Sequence, residues 1–175
     1  MKTRSQRILT IMHIIAWIIF VGICIQTGSV ATSWIVSLFN PEGAKNLYNK
    51  ELNFFELRQY DTAYYSTLMA FIVTLSALKA YIAYLGIRIC MKLNFAQPFS
   101  IEVAQTIEKI SYVGFCAGLM ALVAYSYSQW LGDKGFKVVY PWGAEEFLLL
   151  AGVIFIVAQV FKRGIEIQAE NELTV

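Results

Sequence analysis

Four long apolar stretches, separated by polar connectors, set the hydrophobic pattern of the chain. The first runs from Ile8 to Ile25, 18 residues that are interrupted only by Thr10 and His13. The second runs from Tyr60 to Ile87 and is followed by Arg88. About 20 apolar residues in a helix cross the ~30 Å hydrocarbon layer of a bilayer. Both stretches therefore predict membrane-spanning helices.

The first stretch is predicted to stay in the protein as a helix. Its apolar run exceeds the roughly 7–15 residues of a signal-peptide core, and Ser29-Val30-Ala31 is only a passable cleavage site. The first strong stop signal is Asn40-Pro41, because the residue before a proline avoids helical geometry. The pattern thus leaves open whether this helix continues as far as Phe39.

The third and fourth stretches differ from a simple apolar span. Residues from Ser100 to Leu131 would form a helix of about 48 Å at ~1.5 Å per residue, so its first turns must leave the membrane, with Ser100 as the helix cap. The fourth stretch is apolar only from Phe147 to Phe161. Because proline suits the first helical position, we predict that the fourth helix begins at Pro141.

These elements predict an all-α, polytopic integral membrane protein whose four transmembrane helices form one bundle. The chain is predicted to be a single domain over residues 1–175. The predicted spans are residues 8–26, 62–87, 108–130 and 141–161, and a cytoplasmic tail follows over residues 162–175.

The composition agrees with a lipid environment. Hydrophobic residues form 58% of the chain and charged residues 15%, and the mean hydropathy is +0.56. Soluble domains average about 45–50% apolar residues and about 25% charged residues. The composition therefore excludes an ordinary soluble domain or a disordered chain. The net charge of +2 is scattered, which predicts the lipid bilayer as a partner and no direct contact with nucleic acid. Three dispersed cysteines are interpreted as small apolar residues.

The basic residues beside the spans predict the orientation. Eight of them fall on the side that holds both chain ends and five on the other side. Cytoplasmic loops carry an excess of Lys and Arg, so both termini are predicted to be cytoplasmic. The eight are Lys2, Arg4, Arg7, Arg88, Lys92, Lys109, Lys162 and Arg163; the five are Lys45, Lys50, Arg58, Lys134 and Lys137.

Recognisable catalytic patterns do not occur in the sequence. A single histidine cannot build a multi-histidine metal site, and three dispersed thiols do not make a tetrahedral zinc site. The phosphate-binding, dinucleotide-binding and nucleophile-elbow glycine motifs do not occur either. Glu145 and Glu146 would point about 100° apart on a helix, which fits a helix start better than a pair of catalytic acids. We therefore predict a protein that is not an enzyme and needs no cofactor.

Three polar residues within the spans are candidates for an intramembrane site. Lys79 is the most costly, because a central lysine costs ~2.5–3.5 kcal/mol on insertion scales. His13 is predicted in the same leaflet as Lys79, and Gln159 near the inner end of the fourth span, so the three could line one polar pocket. Packed structure, or a lysine that reaches the inner headgroups, is the preferred interpretation. An ion or proton path in a small transporter or channel subunit is the alternative.

Gly114 and Gly118 form a G-x-x-x-G pattern in the third span. Small residues at this spacing let two helix backbones approach closely. The neighbour is expected within the same bundle, although the pattern also fits contact with a second copy in a homo-oligomer.

Two segments at the predicted cytoplasmic side resemble a known family. One is the link Pro98-Phe99-Ser100-Ile101-Glu102, and the other is the tail that ends in Glu172-Leu173-Thr174-Val175. Together they resemble the bacterial membrane family DUF2975. The resemblance implies a small four-span protein of the bacterial inner membrane with no established reaction. Members are often encoded beside a small helix-turn-helix regulator, which implies a signalling role with a cytoplasmic partner.

The tail is expected to dock on the link or on such a partner. It is too polar to span a membrane, yet it carries four branched apolar residues among its acids. The acids Glu166, Glu170 and Glu172 are expected to pair with Arg88, Lys92 or Lys109, or with a basic partner. A non-enzymatic partner-binding or signalling component is the favoured function. Its candidate contact residues are Pro98, Phe99, Ser100, Glu102, Arg163, Gly164, Glu170, Glu172, Leu173 and Val175.

Overall fold

The computed structural model describes residues 4–40, 54–93, 99–136 and 138–172, with side chains from 7 onwards and up to 170. Within these residues, four helices are long and apolar enough to cross a membrane, which confirms the all-α, four-span prediction. A short helix lies between the first two. In chain order the helices are α1 (Arg4–Phe39), α2 (Phe55–Tyr60), α3 (Thr62–Lys92), α4 (Ile101–Asp133) and α5 (Ala144–Glu172).

Local signals explain where two of these helices begin. Asp61 caps α3, since its Oδ1 accepts from the backbone N–H groups of Ala63 at 2.7 Å and Tyr64 at 3.3 Å. Ser100 caps α4 by accepting from the N–H of Val103 at 3.3 Å, as predicted. Both side chains satisfy N–H groups that a helix start leaves open.

The long helices form an antiparallel row in which each packs mainly on its neighbour in the chain: α1 on α3, α3 on α4, and α4 on α5. The Ser37 and Tyr65 hydroxyls meet at 2.8 Å across α1 and α3, and the rings of Phe20 and Tyr84 meet farther along. We call the side that holds Arg4, Lys92, Ile101 and Glu172 the terminal end. The opposite side, with Phe39, Thr62, Asp133 and Ala144, is the connector end.

The first helix does continue to Phe39, where the sequence left its end open. Its 36 residues give a length of about 54 Å at ~1.5 Å per residue. Arg58 on α2 donates to the backbone carbonyl of Leu38 at 3.3 Å and so covers the carbonyl end of α1. The short helix α2 is held in place by Phe54 and Leu57, which are buried in the main core.

The predicted start of the fourth helix is wrong. That helix begins at Ala144, three residues after Pro141, and the backbone N–H of Phe147 donates to the carbonyl of Gly143. Gly143 has a φ of +66°, a conformation that residues with a Cβ rarely adopt. The preceding segment enters the bundle instead of starting a helix, because Trp142 is buried and its indole N–H donates to Ser128 Oγ at 3.0 Å. Tertiary contact has therefore overridden the proline signal.

Candidate functional site

The link and the tail meet at the terminal end through an aromatic contact on a glycine. The rings of Phe99 and Phe161 lie edge to face with centroids 5.4 Å apart. A Cβ atom placed on Gly164 would lie only 2.6 Å from Cδ1 of Phe99, so the ring packs directly against the backbone of Gly164. Glycine is needed here because any side chain would displace the ring. This contact fixes the start of the tail against the link, two residues before α4 begins.

An ion pair adds a second connection between the tail and α4. Lys162 Nζ donates to Glu108 Oε1 at 2.6 Å, and the Glu108 side chain is only 20% exposed. Next to this pair, a small buried cluster between α4 and α5 is formed by Val103, Ile107 and Ala158. The apolar cluster and the ion pair hold α5 as one continuous helix past Phe161, so the tail follows the direction of the membrane helix.

A groove of about 290 Å³ lies between the start of α4 and the tail, and we call it the docking groove. Its apolar wall includes Ile101, which is 62% exposed. Glu166 stands at its rim and pairs with Arg163 at 2.6 Å. Its lining residues are Ile101, Ala104, Gln105, Glu108, Lys162, Ile165 and Glu166.

A second, more basic pocket of about 280 Å³ lies on the other side of α4, between its first turns and the last turns of α3. We call it the basic pocket. Lys92 Nζ donates to Glu102 Oε2 at 2.6 Å at its mouth. This hydrogen bond and the charge of Lys92 hold the pKa of the Glu102 carboxyl below its usual range, and Arg88 adds a smaller effect. Its lining residues are Leu85, Arg88, Lys92, Glu102, Gln105, Thr106 and Lys109.

The structure places the predicted contact residues as follows. Phe99, Ser100, Glu102, Arg163 and Gly164 lie at the terminal end, and Glu170 is exposed on the last turns of α5. Glu172 is the last residue of α5, and its side chain is not described. Pro98, Leu173 and Val175 lie outside the described residues.

Among the predicted acids of the tail, the structure gives an ion pair for Glu166. The prediction pairs Glu166 with a basic residue on α3 or α4, or with a basic partner protein. In the structure Glu166 pairs with Arg163, one turn away on its own helix. Lys92 is engaged by Glu102. The tail does reach α4 through Lys162 and Glu108, a pair that the sequence reasoning missed. Its only signal was a carboxylate at the edge of the predicted third span, opposite a lysine just past the fourth.

The three polar residues of the spans do not form one pocket among the described residues. His13 accepts from the indole N–H of Trp17 at 3.0 Å on the same helix, and Gln159 is exposed on α5. Lys79 lies in the groove between α3 and α5, with its ammonium 5.5 Å from the ring centroid of Phe147.

Gly114 and Gly118 pack against α5 of the same chain. A Cβ atom on Gly114 would lie 3.3 Å from Cβ of Ala151, and one on Gly118 would lie 2.6 Å from Cδ2 of Leu148. Ser111, one turn before, donates to the carbonyl of Ala151 at 2.9 Å. The small residues therefore bring α4 and α5 close together within the bundle, which is the neighbour that the sequence analysis preferred.

Comparisons of the chain with protein-family models, with curated proteins and with solved structures find no match. The resemblance to DUF2975 consequently stays a prediction.

Proposed function

We propose that the protein is a non-enzymatic, multi-pass protein of the bacterial inner membrane that binds a cytoplasmic regulator in its docking groove. The observation that carries the proposal is a groove with two fixed walls, one on α4 and one on the tail. The Phe99 ring on Gly164 and the ion pair between Lys162 and Glu108 hold these walls together. A groove that is already formed needs little ordering when a partner binds.

The length of α5 supports a tail that lies outside the membrane. Its 29 residues extend about 43 Å at ~1.5 Å per residue, whereas the hydrocarbon layer is ~30 Å thick. Its last two turns therefore project from the terminal end. Ile167, which is 47% exposed, and the exposed Glu166 and Glu170 lie on this projecting part. Exposed apolar and acidic residues in one place favour a basic, amphipathic segment as the partner.

The proposed orientation puts the terminal end in the cytoplasm, supported by the eight-to-five distribution of basic residues. We expect a single cysteine at Asp133, in a chain that lacks the native three, to react with an impermeant maleimide in intact cells. A cysteine at Arg163 should react only after the cells are opened. Both positions are exposed, so accessibility within the protein is matched. The reverse labelling pattern would contradict the orientation and with it the cytoplasmic partner.

A photocrosslinking amino acid at Ile101 tests the docking groove in living cells. Ile101 is exposed and lines the groove, so we expect a discrete adduct with one soluble, basic protein, identified by mass spectrometry. The same amino acid at Leu149, which is 72% exposed within the span of α5, should give no such adduct.

Charge reversal then separates specific docking from chance proximity. Changing Glu166 at the rim and Glu170 one turn farther along α5 together to Lys should abolish the adduct, because the new lysines would repel a basic segment. The matched control changes Glu145 and Glu146 to Lys at the connector end, where the same number of charges is reversed, and should leave the adduct in place. An adduct only with lipid, or only with a second copy of the chain, would contradict the proposed function.

A further inference from the structure

We infer that the basic pocket binds a phosphate-bearing anion, and that its source is the headgroup of an anionic phospholipid in the adjacent leaflet. This inference goes beyond the proposed docking function and uses a different pocket. The basic pocket joins Arg88 and Lys92 at the end of α3 to Lys109 in the third turn of α4. Three cations thus converge from two membrane helices on one cavity.

The charges in the basic pocket do not cancel. It contains a single carboxylate, that of Glu102, which is bound to Lys92 at 2.6 Å. Among the described residues, Arg88 has no hydrogen-bond or ion-pair partner, and Lys109 contacts only the ring of Tyr81, at 5.5 Å from its centroid. Glu102 is near enough to feel the charge of Arg88, but its hydrogen bond goes to Lys92. The Arg88 guanidinium can therefore offer two parallel N–H groups to phosphate oxygens.

The position of the basic pocket along the helices favours a lipid. Just inside it, Tyr81 and Tyr84 stack with centroids 6.4 Å apart, and aromatic rings of this kind mark the headgroup level of a membrane. The buried Leu85 lines its membrane side. Basic pockets between transmembrane helices are known sites for anionic headgroups. A volume of about 280 Å³ is slightly below the ~300 Å³ at which pockets for drug-sized ligands begin, so it suits a headgroup whose chains remain in the bilayer.

The test measures the thermal unfolding midpoint and the lipid retained in native mass spectrometry. The full chain is placed in phosphatidylcholine nanodiscs with and without phosphatidylglycerol, and inorganic phosphate is added in a separate arm. We expect phosphatidylglycerol to be retained and to raise the midpoint. Arg88→Gln and Lys109→Gln should each weaken retention about fivefold, from roughly 1 kcal/mol per basic residue near a membrane surface.

Two further variants keep the test decisive. Arg163→Gln removes a basic residue at the same end that lies outside the basic pocket and is 66% exposed, so it should leave retention unchanged. Glu102→Gln releases Lys92 and should strengthen retention about fivefold, a gain that misfolding cannot imitate.

The arms separate the two sources of phosphate. Stabilisation by inorganic phosphate that needs Arg88 and Lys109, with none from phosphatidylglycerol, would keep the anion site and reject the lipid as its source. Equal losses for Arg88→Gln and Arg163→Gln, or no gain for Glu102→Gln, would overturn the site itself. Retention of phosphatidylglycerol does not depend on the docking groove, so failure of the crosslinking experiment leaves this inference unaffected.

Discussion

Replacing Trp142 with alanine is expected to lower the free energy of unfolding by about 3 kcal/mol, the lower part of the range for a buried tryptophan. The indole is only 4% exposed and lies in the main core. Its loss leaves a cavity and removes the hydrogen bond that Ser128 Oγ accepts from the indole N–H. The lower part of the range applies because the unfolded state of a membrane protein is surrounded by lipid as well as water, so exposing the indole costs less.

The matched control is Trp130→Ala at the same end of the bundle. Trp130 is 40% exposed and makes ring contacts with Tyr64 and Tyr127, so its loss should cost about 1 kcal/mol. Unfolding in mixed SDS micelles, followed by circular dichroism, avoids the change in tryptophan fluorescence. Trp142→Phe keeps a ring but loses the donor and should fall between the two. Equal losses for Trp142→Ala and Trp130→Ala would show that the segment before α5 does not anchor the bundle.

The second large effect is expected for Gly118→Ala, which should cost about 1–3 kcal/mol through overpacking. The new Cβ would lie 2.6 Å from Cδ2 and 2.7 Å from Cγ of Leu148, and 3.3 Å from the Leu148 backbone nitrogen. The side chain could rotate away, but the nearby backbone limits how far α5 can yield. We therefore expect α4 and α5 to separate slightly and the unfolding midpoint in SDS to fall.

Gly152→Ala on α5 is the matched control. It makes the same chemical change at a helical glycine where nothing lies within 4 Å of the added Cβ. Alanine favours a helix by roughly 1 kcal/mol over glycine, so this variant should be neutral or slightly more stable. If Gly118→Ala were as stable as Gly152→Ala, the close approach of α4 and α5 would be wrong. Gly114→Ala, with 3.3 Å to Cβ of Ala151, should give an intermediate loss.

The amino-acid sequence by itself determined the four spanning helices of this fold. Four apolar stretches of membrane length predicted the four spanning helices, because an exposed backbone N–H or carbonyl in lipid costs several kcal/mol and a helix satisfies these groups within one segment. Ser100 was identified as a cap for the same local reason, since a serine just before a helix can accept from its open N–H groups. Properties that depend on a few neighbouring residues could be predicted from the sequence.

Only the tertiary structure decided which side chains meet. Pro141 carried a valid local signal, yet the fourth helix begins at Ala144 because Trp142 is drawn into the core. Lys79, His13 and Gln159 are predicted in the same leaflet, but a shared leaflet does not fix which way each helix faces. Lys79 lies near Phe147, whereas His13 contacts Trp17. The ion pair between Glu108 and Lys162 joins residues 54 positions apart. Such contacts depend on the rotation and register of packed helices, which no local pattern encodes.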